Sequence, residues 1–260
     1  MERKPMRISL LKIKFVIPLL AVLLLPVSVH AEILAMHRPE DTYVNEDGKM
    51  FAYDSLLLKE EEARSVAKYI FDSYGPGKYP FIFSLPLHKE FYLVAAIGYQ
   101  GDKDRGLRFF LIKNRNGRLS RQYTTKGAGD SYILNPTFFY DRENFLIFGE
   151  VGSQYSWGFS VFKFEPEKTR LLWLGMLHVA KPSEHFNETT SAIDIIQVVE
   201  KDGAYEVRIS GDFVLDPGTE KEKLYRYKGE SFIFLQKKNH FIFQPPADDD
   251  AAQKAVESGR

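Results

Sequence analysis

Short hydrophobic runs alternate with turn clusters from residue 80 to residue 238. The runs are rich in Phe, Tyr, Ile, Val and Leu, and the clusters between them contain Gly, Pro, Asn and Asp, which is typical of half-buried antiparallel strands. The chain contains 21 Phe and 14 Tyr, and such side chains fill the space between packed sheets. The pattern therefore predicts a mainly β fold.

An internal repeat divides this strand-rich part of the chain into units. Residues 91–98 align with residues 145–152, and residues 106–113 align with residues 158–165. Each unit is predicted to be a four-stranded antiparallel meander of about 50 residues, the size of a β-propeller blade. A third, weaker unit has its strands near residues 193–199, 205–211, 224–227 and 232–235. The three units span about residues 80–124, 132–177 and 191–236.

Three blade-like units are too few to close a propeller, which has roughly four to eight blades. Residues 50–53 and 240–243 are apolar enough to supply strands for a fourth unit. Otherwise the units form an open, stacked or sandwich-like β structure. The alternative to true repetition is that any antiparallel meander produces this pattern by chance.

One amphipathic α-helix is predicted near the N-terminus, over residues 56–73. Its apolar positions recur at helical spacing, acidic residues lie near its start, and Gly75 and Pro76 follow its end. The helix is expected to cover a face or an edge of the sheet structure. Residues 50–244 are predicted to form a single β-rich domain, preceded by a flexible leader at residues 32–49 and followed by a disordered tail at residues 245–260.

Residues 1–31 have the three parts of a secretory signal peptide. A basic front containing Arg3 and Lys4 precedes an uncharged apolar run over residues 15–27, and Ala31 stands at the expected cleavage position. The apolar run is shorter than the roughly 20 residues that cross a bilayer, so we expect cleavage and no stable membrane anchor. The chain has no Cys, which excludes disulfides and attachment of lipid to a Cys. A periplasmic or secreted protein is expected.

The charge balance and the absence of catalytic motifs exclude some classes of function but identify none. Without residues 1–31 the chain has a small excess of acidic over basic residues, unlike the strongly basic surfaces of nucleic-acid-binding proteins. No zinc-protease, nucleophile-elbow or phosphate-loop motif occurs. A non-catalytic binding module is therefore the leading hypothesis, with a protein, peptide or glycan as its partner.

The loops between the second and third strands of the units are the predicted binding face. They vary in sequence, and variable loops on one face of a repeat array often form a binding surface. The alternative is an ordinary solvated rim whose aromatic residues pack on neighbouring loops. The candidate ligand-binding residues are Tyr99, Gln100, Gln154, Tyr155, Trp157 and Asp212.

Two other kinds of site have weaker support in the sequence. Asp102 and Asp104, followed by Gly106, resemble part of a calcium loop, although a charged turn is the simpler explanation. No other cofactor is expected. The alternative function is an exported hydrolase with dispersed acid and base residues. Its candidates are Glu150 and Asp194 as inward-facing carboxylates and a loop group of His178, Glu184 and His185.

Overall fold

The computed structural model describes residues 31–75, 80–97, 106–127, 133–153, 156–183 and 189–246. Within these ranges the chain is mainly β, with one α-helix, α1 (Glu60–Tyr74). No helix of the described part meets the length and hydropathy needed to cross a membrane. The strands are β1 (Glu32–Ile33), β2 (Ala35–His37), β3 (Asp41–Glu46), β4 (Lys49–Asp54), β5 (Phe81–Leu85), β6 (His88–Ile97), β7 (Leu107–Arg115), β8 (Arg118–Thr124), β9 (Pro136–Tyr140), β10 (Phe145–Ser153), β11 (Ser156–Glu165), β12 (Arg170–Leu177), β13 (Val179–Pro182), β14 (Thr189–Thr190), β15 (Ile196–Lys201), β16 (Ala204–Ile209), β17 (Phe213–Leu215), β18 (Lys223–Tyr225), β19 (Phe232–Lys237) and β20 (His240–Gln244).

The described strands form four open sheets. Sheet I has the order β3-β4-β5-β6-β7-β8, and sheet II has the order β12-β11-β10-β9-β2. Sheet III has the order β1-β15-β16-β19-β20, and a small sheet has the order β14-β13-β17-β18. Neighbouring strands are antiparallel except β4 and β5, which are parallel and are joined through α1. A parallel pair needs such a crossover, because a short turn joins only antiparallel strands.

Sheet II is buried on both faces, and this burial sets the layer order of the fold. Along β10, Phe145 and Ile147 pack towards sheet I, whereas Leu146 and Phe148 pack towards sheet III. Successive side chains of a strand point to opposite faces, so a continuous apolar run supplies two cores. The layers therefore follow one another as α1, sheet I, sheet II and sheet III.

Consecutive strands form meanders within sheets I and II, over β5–β8 and β9–β12. The expected third strand of the third unit, residues 224–227, is wrong, and residues 232–235, expected as the fourth strand, lie in β19 directly beside β16. Leu224 lies in β18, which pairs with β17 in the small sheet, and β16 pairs directly with β19. The reason is that the hairpin of β17 and β18 stacks Phe213 on Tyr225, with ring centroids 5.1 Å apart, and adds its own aromatic pair to the core. Strand β20 then completes sheet III.

Residues 32–49, expected as a flexible leader, instead form β1, β2, β3 and the start of β4. Strand β1 pairs with β15, β2 pairs with β9, and Leu34 between them is buried. The two segments considered for a fourth unit also separate, because residues 50–53 lie in β4 of sheet I and residues 240–243 lie in β20 of sheet III. The N-terminal segment thus adds a strand to each of the three large sheets.

Helix α1 begins four residues later than predicted. Residues 55–57 form a turn, in which the Asp54 carboxylate accepts the backbone N–H of Leu56 at 3.1 Å. Gly75 ends the helix in the left-handed conformation and donates its N–H to the carbonyl of Phe71. The buried face of α1 covers sheet I with Ala63, Val66, Ala67 and Ile70.

Candidate functional site

A cleft opens between sheets I and II, beside the strands that end each sheet. Strand β8 is the last strand of sheet I and β12 is the first strand of sheet II. The cleft has a volume of about 570 Å³, within the usual range of small-molecule sites. Both sheets contribute to its walls, because the apolar core between them reaches the surface here.

The floor of the cleft is apolar. Leu134 and Phe162 are buried in the core between the two sheets, and Val151 packs against that core. Met176 lies beside them and completes the floor. Apolar surface of this kind favours a ligand whose burial removes it from water.

Two exposed aromatic side chains flank the floor. Tyr123 of β8 is 37% exposed and Trp173 of β12 is 42% exposed. The indole N–H of Trp173 donates to the hydroxyl of Ser160 at 3.2 Å, which fixes the orientation of the ring. Large aromatic groups left open to solvent beside an apolar floor are what a binding cleft requires.

A β-bulge in β12 places the side chains of Trp173 and Met176 on the same face of the strand, in the cleft. The pairing of β11 with β12 shifts register between Val161 and Phe162, which leaves Leu174 as the additional residue. Trp173 and Met176 are three positions apart, so a regular strand would place them on opposite faces. With the bulge both line the cleft, and Leu174 packs towards sheet III.

The described lining of the cleft has few polar groups. The hydroxyl of Thr125 accepts the N–H of Phe109 at 3.0 Å and donates to the carbonyl of Lys126 at 3.1 Å. These bonds hold the chain as it leaves β8. Lys126 is exposed and is the single charged side chain that lines the described part of the cleft.

A second, smaller cavity of about 180 Å³ is polar. Arg38, Asp41, Thr137 and Glu150 line it. Burial raises the pKa of the Glu150 carboxyl, against the opposing effects of the Ser191 hydroxyl and the Arg38 charge. Burial, followed by the charge of Asp54, also raises the pKa of Asp41.

The fully buried Asp54 organises the chain beside this polar cavity. Its carboxylate contacts the imidazole Nε2 of His37 at 2.8 Å and accepts the backbone N–H groups of Glu40 at 3.2 Å and Leu56 at 3.1 Å. The ring of His37 stacks on Phe138. Asp54 therefore ties the end of β4 to the segment that carries Arg38 and Asp41.

Trp157 and Asp212 are the two predicted ligand-binding residues that the structure describes. The Trp157 ring packs against Gly152 on the neighbouring strand. Asp212 accepts the backbone N–H of Tyr227 at 2.7 Å and pairs with Arg226 at 2.6 Å, and these two interactions lower the pKa of its carboxyl. Asp212 thus fixes a turn. The other predicted positions, Tyr99, Gln100, Gln154 and Tyr155 for the ligand and Asp102 and Asp104 for calcium, lie outside the described residues.

Of the residues proposed for catalysis, the three that the structure describes are not brought together in the polar cavity. Glu150 lines the polar cavity, whereas Asp194 lies in a short 3-10 turn and pairs with Lys181 at 2.6 Å. His178 joins β12 to β13, and Glu184 and His185 lie outside the described residues. Among the residues that the structure describes, no group of three His, Asp or Glu side chains is placed to hold a metal ion.

Sequence reasoning missed Tyr123, Trp173 and Met176 of the cleft. The available signal was Trp173, which lies inside an apolar run of residues 171–174. Gly175 follows this run directly. Compared with known proteins, the chain matches no family model, no curated protein and no solved structure.

Proposed function

We propose that this protein is an exported, non-catalytic binding module and that the cleft between sheets I and II is its ligand site. The observation that carries the proposal is the exposed pair of Trp173 and Tyr123 beside an apolar floor. A ligand seated there would cover surface that the folded chain leaves in water. Export is supported by the basic, apolar and small-residue pattern of residues 1–31.

A propeller-like relationship between the units is part of the same proposal. Its support is the stacking of two four-stranded meanders, β5–β8 and β9–β12, face to face in chain order. Sheet III follows on the far side of sheet II. The stack stays open, and α1 covers the outer face of sheet I. Calcium binding at Asp102 and Asp104 stays a prediction.

The neutral fluorophore N-phenyl-1-naphthylamine tests the proposed site, because its emission rises when it leaves water. We expect saturable binding by the wild-type chain and a loss of affinity of about tenfold in Trp173→Ala, equivalent to about 1.4 kcal/mol. Leu172→Ala is the matched control, since Leu172 is 39% exposed on the same strand but points to the other face. Equal affinities of wild type and Trp173→Ala would exclude this cleft.

An exported hydrolase is the second candidate, and the polar cavity favours it. Two carboxyl groups with raised pKa values share that cavity, and perturbed carboxyl groups gather at catalytic sites. The cavity is, however, smaller than the roughly 300 Å³ of typical ligand sites, so binding at the larger cleft is the better-supported function. Hydrolysis of 4-methylumbelliferyl esters or glycosides that disappears in Glu150→Gln would reverse this preference.

A further inference from the structure

The polar side chains that the described lining of the cleft leaves open to a ligand can each donate a hydrogen bond. Ser160 accepts a hydrogen bond from Trp173, which leaves its own hydroxyl proton for another partner. Thr125 is already engaged in two hydrogen bonds with the backbone. The hydroxyl of Tyr123 and the ammonium group of Lys126 complete the set. A ligand satisfies these groups best with acceptor oxygens.

The charge of the described cleft lining also favours a ligand with acceptor oxygens. Lys126 lines it, and no Asp or Glu is among its described lining residues. Lys126 has no ion-pair partner within the described ranges, so its charge is available to a ligand. A charge-assisted hydrogen bond from an ammonium to an anionic oxygen is stronger than one between neutral groups. A cationic ligand would be repelled by Lys126 and would find no carboxylate among the described lining residues.

The size of the cleft sets the size of the apolar part of the ligand. A volume of about 570 Å³ holds on the order of 15–20 groups the size of a water molecule, at about 30 Å³ each. That space fits a medium-length acyl chain or a pair of aromatic rings. Its apolar floor and aromatic flanks would be covered by such a body.

We propose that the cleft binds a small amphipathic organic anion, with its apolar body on the floor between Trp173 and Tyr123 and its acidic group at Lys126. This inference rests on the proposed function and adds the chemical class of the ligand. A free carboxylate of medium chain length is the occupant that matches the donor set, the single positive charge and the volume.

Two fluorophores with the same body test the charge preference. 1-Anilinonaphthalene-8-sulfonate is N-phenyl-1-naphthylamine with one added sulfonate, so the ratio of their affinities reports the contribution of the negative charge. We expect the sulfonate to bind about five- to tenfold more tightly than the neutral probe. Added NaCl should reduce this advantage, because salt screens exposed charges.

The variant Lys126→Met assigns that advantage to one residue. It should weaken binding of the sulfonate to about the level of the neutral probe. Lys228→Met is the matched control, since Lys228 is also exposed but does not line the cleft. Decanoate should displace the bound sulfonate, whereas decyltrimethylammonium at the same concentration should not.

The outcomes separate this inference from the function on which it rests. If neither probe saturates, or if Trp173→Ala binds both as well as wild type does, the cleft is not the ligand site and both proposals fail. If the neutral probe binds in a Trp173-dependent way but the sulfonate binds no more tightly, the preference for an anion is wrong and the binding function stands. An unchanged sulfonate affinity in Lys126→Met would equally overturn the assignment to Lys126.

Discussion

Replacing Gly175 by alanine tests the contact between sheets II and III. Gly175 lies in β12 with φ +128°. A Cβ there would stand 2.6 Å from the carbonyl oxygen of Asn239 and 2.9 Å from the Cα of His240. Both atoms belong to the backbone at the turn between β19 and β20, so they cannot move aside as a flexible side chain would.

Gly203→Ala separates the cost of backbone conformation from the cost of the clash. Gly203 has φ +77°, and a Cβ there would meet no atom within 4 Å. Its replacement should lower the free energy of unfolding by about 1–2 kcal/mol, the cost of a left-handed conformation with a side chain. Gly175→Ala incurs at least that cost, because φ +128° lies farther from the left-handed region that side chains tolerate, and adds about 1–3 kcal/mol of overpacking. Gly175→Ala should therefore be clearly more destabilising than Gly203→Ala if the two sheets approach each other as closely as the structure shows.

Urea unfolding followed by tryptophan fluorescence is a suitable assay. With a slope of about 3 kcal/mol per molar urea for a domain of this size, Gly203→Ala should lower the midpoint by about 0.5 M. Gly175→Ala should lower it by about 1 M or more. Equal shifts of the two midpoints would show that β12 does not meet the β19–β20 turn, and the layer order of the fold would have to be revised.

Two further predictions concern buried and exposed carboxylates. Asp54→Ala should lower the free energy of unfolding by about 3–5 kcal/mol, because it leaves the imidazole of His37 and two backbone N–H groups without their acceptor. Asp212→Ala, at a partly exposed carboxylate, should cost about 1 kcal/mol or less in the same urea assay, and similar costs would contradict the role given to Asp54. The second prediction concerns pH. Burial raises the pKa of Glu150 above its ordinary value of 4.5 in the folded chain, so the folded state holds this proton more tightly than the unfolded state does. The free energy of unfolding therefore falls as the pH rises from 4.5 through the raised pKa. Glu150→Gln should therefore melt at a higher temperature than wild type at pH 8 and at the same temperature at pH 3, and a lower melting temperature at pH 8 would contradict the desolvation of this carboxyl.

The mainly β class and the presence of the helix could be predicted from the sequence, because both depend on local patterns. Apolar runs such as residues 145–148 predict strands wherever they lie in the fold. The helix has a regular apolar face, including Val66 and Ile70, and an end marked by Gly75. Its start was placed too early because Asp54 holds residues 55–57 in a turn, and that role depends on its contact with His37 of a distant strand.

The N-terminal strands and the cleft could not be predicted from the same patterns. Strands β1 and β2 are two and three residues long, and their stability comes from partners far along the chain. The cleft depends on which edges of two sheets lie together and on a bulge that moves Met176 to the face of Trp173. Neither condition changes the hydrophobic pattern of the local sequence.

The path of the N-terminal segment limits when the chain can finish folding. Ile33 pairs with Val199, and Met36 pairs with Phe139, whereas Val44 pairs with the nearby Phe51. A chain that emerges N-terminus first therefore exposes β1 long before its partner strand arrives, and such distant pairings are slow to form. Sheet III cannot be completed until most of the sequence is free to fold. If the chain is exported as proposed, this order of assembly keeps it incompletely folded until its last third has followed.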